Sequence, residues 1–120
     1  MVVIQSEFLV QNSKIALDNQ RIIERQQEQN IQRDVSNAWG FYQNALFVLE
    51  AETKNLETNQ RNFSRTQEQY KLGQITSIEF RQAQQNLLLS QLNFNRAKYD
   101  AKVAELALLQ LAGNLLNADF

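Results

Sequence analysis

Two runs of seven-residue spacing limit what this sequence can fold into. In the first, Val35, Tyr42, Leu49, Leu56, Phe63 and Tyr70 recur at every seventh position. Ala38 and Ala45 stand three residues after the first two, and Glu52, Asn59 and Thr66 then weaken that second row. In the second run, Phe80, Leu87, Phe94, Ala101, Leu108 and Leu115 recur, with Ala83, Ser90, Ala97, Ala104 and Leu111 three residues after them. An apolar period of about 3.5 residues keeps one seam of a helix facing a partner as the two wind together. Runs of this length predict coiled-coil packing of two long helices.

Composition points the same way. The 120 residues suit one domain, yet proline is absent and glycine occurs three times, at Gly40, Gly73 and Gly113. Turns lean on those two residue types, so the chain has few places to reverse. Asn and Gln make up about a quarter of the residues, a load helices carry better than strands. The net charge of −1, from 12 basic and 13 acidic residues, offers no basic patch for phosphates, so no nucleic-acid partner is expected. With neither cysteine nor histidine, the chain lacks thiolate nucleophiles, imidazole bases and the usual transition-metal ligands. The sequence therefore predicts no cofactor and no metal site. No stretch approaches the ~20 apolar residues of a membrane helix. Met1-Val2-Val3-Ile4 lacks the basic start and apolar run of a signal peptide. If the protein is exported, this chain is expected to be a piece of a longer one.

Between the two runs, Gly73 can take the left-handed conformation that ends a helix, with Lys71 near its negative end. Thr76 followed by Glu79 matches a capping box that opens a new helix. A stop and a start so close together force a reversal. The predicted fold is all-α, a long antiparallel coiled-coil hairpin forming a single domain over 1–120. Its arms are unequal: helix A about 7–72, a tip turn at 73–76, helix B about 77–112, and a frayed tail at 113–120 after Gly113-Asn114. At 1.5 Å per residue helix A is about 100 Å long, and helix B roughly half that. The stretch from Glu7 to Asp34 then has no hairpin partner for Phe8, Ile15, Leu17, Ile22, Ile23 and Ile31, so another segment or another copy is expected there.

Helix B carries a second apolar row, Leu89, Leu92, Tyr99, Val103 and Leu106, on the side away from Phe80 and Ala83. Polar strips separate the two rows, Gln84, Gln91, Lys98 and Glu105 on one side and Glu79, Asn86, Asn93 and Asp100 on the other. A helix with one partner needs one seam. Two opposed seams suit a stave in a helical barrel, with a neighbour on each side and water on the other two faces. A helix buried on two faces of an ordinary bundle fits the periodicity as well.

The set Tyr70-x-x-Gly73-x-x-Thr76-x-x-Glu79-x-x-x-Ala83-Gln84-x-x-Leu87 resembles the tip signature of the TolC-like outer-membrane efflux family. Ala97-x-x-Asp100-Ala101, Leu106-x-x-Leu109-x-x-x-Gly113 and Val35-x-x-Ala38-x-x-x-Tyr42 resemble its flanking pattern, and the likeness spans about Ile31 to Leu116. It implies a C-terminal periplasmic hairpin of a trimeric duct, a stave of the α-barrel that continues an outer-membrane β-barrel. The implied function is export of small molecules, drugs or metal ions, by multidrug efflux or type I secretion, with no enzymatic step. By position, Leu72, Gly73, Gln74, Ile75 and Thr76 would form the turn that contacts a periplasmic adaptor (membrane fusion) protein. Tyr70 and Glu79 would stand at the entrance constriction. Gln82 occupies a position where members that bind cations carry a second acid, so this chain departs from an acidic ring. The isolated chain is expected to self-associate through its uncovered seams.

Two other readings compete. An adaptor also carries a periplasmic coiled-coil hairpin, but Arg65, Leu72 and Ser77 do not match the Arg, Leu and Ser/Thr spacing of adaptor tips. A generic coiled-coil scaffold explains the heptads without the tip signature. Glu68 and Glu79 are the carboxylates nearest the turn, and neither has a base, a nucleophile or a glycine-rich phosphate loop beside it.

Overall fold

The computed structural model describes residues 2–118, with side chains as far as Gly113. Two helices, α1 (Val2–Lys71) and α2 (Ser77–Ala118), form an all-α hairpin with arms of 70 and 42 residues. Two boundaries differ from the sequence reading. α1 is already helical at Val2 rather than near Glu7, because nothing in Val2–Ser6 breaks a helix once later turns have nucleated it. α2 passes through Gly113-Asn114 and ends at Ala118, so the break expected after residue 112 is absent. A glycine inside a helix costs about 1 kcal/mol relative to alanine but does not forbid helical angles. Among the described residues only Gly73 has a positive φ. The seam positions at Leu115 and beyond, and the last two residues of the tail, lie outside the described side chains.

The chain divides into two units, Met1–Asn37 and Ala38–Phe120. In the first, the described residues form the opening stretch of α1, and all their side chains are exposed except Ile31 and Val35, which are half-buried. Phe8 is 65% exposed and Ile15 57%. Its side-chain hydrogen bonds are local, Ser6 Oγ donating to the Val3 carbonyl and Ser13 Oγ to the Leu9 carbonyl.

In the second unit the seven-residue rows become the seam. Tyr42, Leu49, Leu56 and Phe63 on α1 are half-buried, as are Phe80, Leu87, Phe94 and Leu108 on α2. The fully buried residues are all small: Ala83, Ser90, Ala97 and Ala101. The small side chains of Ala83, Ser90, Ala97 and Ala101 let the helix axes approach, while the aromatic and leucine positions fill the space alongside. Ser90, only 2% exposed, remains satisfied because its hydroxyl donates to the Leu87 carbonyl at 2.8 Å. The polar residues on α1 that weaken the row are tolerated for the same reason. Thr66 Oγ1 donates to the Asn62 carbonyl at 2.7 Å, Asn59 Nδ2 to the Asn55 carbonyl at 3.0 Å, and Glu52 accepts from Asn55 Nδ2 at 3.4 Å. Each polar group bonds along its own helix, and no buried polar side-chain atom among the described residues lacks a partner.

Outside the seam the unit is not uniform. Next to Ala38, α1 exposes Trp39, Phe41, Leu46, Phe47 and Val48 around its circumference, and α2 exposes Tyr99, Val103, Leu106 and Leu109. Between Leu49 and Tyr70, α1 exposes no large apolar side chain. The second row of α2, from Leu89 to Leu106, is exposed throughout, from 47% at Val103 to 71% at Tyr99.

Candidate functional site

The hairpin tip is built almost entirely from local interactions. At the end of α1, Gly73 adopts φ of 71°, the left-handed conformation that costs an L side chain roughly 1–2 kcal/mol. Its N–H donates to the Tyr70 carbonyl at 3.0 Å, and the Gln74 N–H reaches the Gln69 carbonyl at 2.9 Å. These are the paired bonds of a Schellman ending, which satisfy carbonyls that the helix leaves open. At the start of α2, Glu79 N–H donates to Thr76 Oγ1 at 3.2 Å and Thr76 N–H to Glu79 Oε2 at 2.9 Å. This is the reciprocal capping box the sequence predicted.

An aromatic cluster locks the two helix ends together. Tyr70 stacks on Phe80, ring centroids 4.6 Å apart and 11° between planes, and Phe63 lies against the same ring at 5.8 Å. Ile75 and Phe80 occupy the two positions that flank a cap in a hydrophobic staple, and both are half-buried. Tyr70 thus reaches across the hairpin while remaining 43% exposed. Phe63 and Phe80 appeared in the sequence only as seam positions. Their role at the tip depends on which residues meet across the turn, which periodicity within either helix does not encode.

The expected site residues divide into two groups. Leu72, Gly73, Gln74, Ile75 and Thr76 come together as the turn, with Leu72 72% exposed. Ile78 is 78% exposed and joins Leu72 as a second uncovered apolar side chain there. It was missed in the sequence, although an apolar residue off the seam directly after a cap is the signal that marks it. Tyr70 and Glu79 flank the turn, but one Glu79 oxygen is already committed to the cap. Gln82 lies further along α2, where its Nε2 donates to Asn86 Oδ1 at 3.1 Å. The result is a stiff turn tipped by two exposed apolar side chains, a shape suited to docking against another surface. Among the described residues no group of three or more acids is placed to hold a metal ion. No helix among them is long and apolar enough to cross a membrane.

Searches of curated proteins and of solved structures each returned no match. The sequence model of one family, described as outer membrane efflux protein, matches residues 9–114, and so covers the first heptad run, the whole tip and the second run as far as Leu111. With this match added to the hairpin, the seam and the capped turn, the chain belongs to the outer membrane efflux protein family.

Proposed function

We propose that this hairpin is a periplasmic stave of a trimeric efflux duct and that its tip docks on a periplasmic adaptor protein. The observation that carries the reading is the turn itself. Leu72 and Ile78 stand exposed on a reversal held by the Schellman bonds, the capping box and the Tyr70–Phe80 stack. A preformed surface loses little conformational freedom when it binds, which favours a contact made at a turn. The exposed second row of α2 supports neighbours on the hairpin's flanks, as a closed ring of staves requires.

In this reading the hairpin comes from the C-terminal repeat of a longer chain anchored by a β-barrel in the outer membrane. Its work is passage of solutes, small molecules, drugs or metal ions, rather than catalysis. The family match favours the duct over the adaptor hairpin and over a generic scaffold. Tyr70 and Glu79 would stand at the entrance, with Gln82 leaving it less acidic than in cation-binding members.

The test is photo-cross-linking from Gln74 in the full-length protein in its own cells. Capture of a periplasmic adaptor is the expected result. Capture of an outer-membrane duct would make the chain an adaptor, and capture of cytoplasmic proteins alone would return it to a scaffold.

A further inference from the structure

The large apolar side chains that α1 exposes next to Ala38 stand on both broad faces of the hairpin at one level. A shallow groove lined by Phe41, Asn44, Ala45, Val48, Ala97 and Asp100 assigns Phe41 and Val48 to one of those faces. Trp39 and Leu46 each come two residues earlier. Two residues turn a helix by about 200° and advance it by about 3 Å, so this second pair belongs to the opposite face at nearly the same height. Exposure of the four runs from 41% at Leu46 to 71% at Phe41. Trp39 also lies against the ring of half-buried Tyr42, with centroids 6.0 Å apart.

Both rows change character toward the tip. Steps of seven residues lead from Val48 to Asn55 and Asn62, and from Leu46 to Thr53 and Gln60. The apolar belt is therefore confined to the stretch from Trp39 to Val48, roughly 40–50 Å from Gly73 at 1.5 Å per residue. Phe47 stands about 100° from each row, on the flank of the hairpin away from α2. Tyr99 and Leu106 occupy the other flank.

In a ring of staves the two flanks are covered by neighbours, and one broad face is turned to the bore, where no stave can cover it. We infer that the bore carries an apolar belt at this level, built on Phe41 and Val48 or on Trp39 and Leu46, that holds aromatic organic solutes in transit. This rests on the duct reading above. Because each broad face carries one aromatic and one aliphatic side chain, the belt is present whichever face is turned inward. A trimeric ring sets three copies at one height, and the flat faces of a solute gain by leaving water against them. The neutral polar positions nearer the tip offer no comparable hold.

The experiment is single-channel recording of the full-length protein in planar lipid bilayers, with N-acetyl-tryptophanamide or N-acetyl-glycinamide added. The two probes share a neutral diamide backbone and differ by the indole side chain. The tryptophan probe should interrupt the current of the native pore for longer than the glycine probe does. Either Phe41→Gln/Val48→Gln or Trp39→Gln/Leu46→Gln should shorten those interruptions about fivefold or more, and the pair that does so marks the face lining the bore. A conducting pore reports that a variant has assembled, and a pair that opens none is replaced by Phe41→Gln or Trp39→Gln alone. Native interruptions that are no longer for the indole, or that neither pair shortens, overturn the inference and leave the duct standing. A native protein that opens no conducting pore removes the duct reading and the inference with it.

Discussion

The two stretches of α1 on either side of Asn37 are the same helix in opposite circumstances. After Ala38, each turn of α1 sets one or two side chains into a seam whose buried centre is Ala83, Ser90, Ala97 and Ala101 of α2. Before Asn37, Phe8, Ile15 and Ile22 keep the same seven-residue spacing, yet each is more than half exposed. With 42 residues against 70, α2 is too short to line the whole of α1. The contrast teaches that an apolar repeat records where a partner belongs, not that this chain supplies it. Helices of marginal propensity draw most of their stability from such a partner. The early stretch should therefore be the first to open, and its amides should exchange with solvent well before those of the seam.

Substitutions at four positions test that contrast, from the largest expected effect to the smallest. Ala97→Leu forces a large side chain into the closest part of the seam, where Ala97 is 4% exposed, and should lower stability by about 1–3 kcal/mol in denaturant unfolding followed by helicity. No change there would mean that the helices are not in close contact at this layer. Gly73→Ala should cost about 1–2 kcal/mol. An added Cβ meets nothing within 4 Å, so the loss would come from the left-handed backbone alone, and Gly73→Asn should recover part of it. Thr76→Ala removes one half of the capping box and should cost about 1 kcal/mol in the same assay. A cost as small as that of an ordinary surface change would show that the cap is not stabilising the turn. Ile15→Ala should change the stability of the 120-residue chain by less than about 0.5 kcal/mol. In the assembled full-length protein the same change should cost about 2 kcal/mol or more if a partner covers that side. Equal small effects in both settings would end the idea that the early stretch is written for a partner.

Much of the fold was legible in the residues. The seven-residue rows named the seam, and all of their described members are half-buried or buried except Tyr70. Gly73, Thr76 and Glu79 announced the turn because each acts through hydrogen bonds to near neighbours in sequence. The cross-hairpin stack of Tyr70 on Phe80 was not legible, since it depends on register between helices that only the folded turn sets. Gly113 misled for the opposite reason. Glycine ends a helix only when its neighbours or its own backbone angle help, and here no proline comes after it and its φ is not left-handed. The partner-facing roles proposed for Leu72, Gln74 and Ile78 would depend on surfaces outside the chain, and no pattern within it could state them.

The locality of the turn also has a consequence for how the chain reaches its fold. Every backbone hydrogen bond at the reversal joins residues no more than five apart, so closing it costs little loop entropy. Once it is closed, each further seam layer adds contacts next to those already made, and the arms can zip away from the tip in low-contact-order steps. The tip is thereby the natural starting point of folding and the far end of the seam the last part to form. Substitutions at Gly73 or Phe80 should then slow folding, whereas those at Tyr42 or Ala101 should chiefly hasten unfolding.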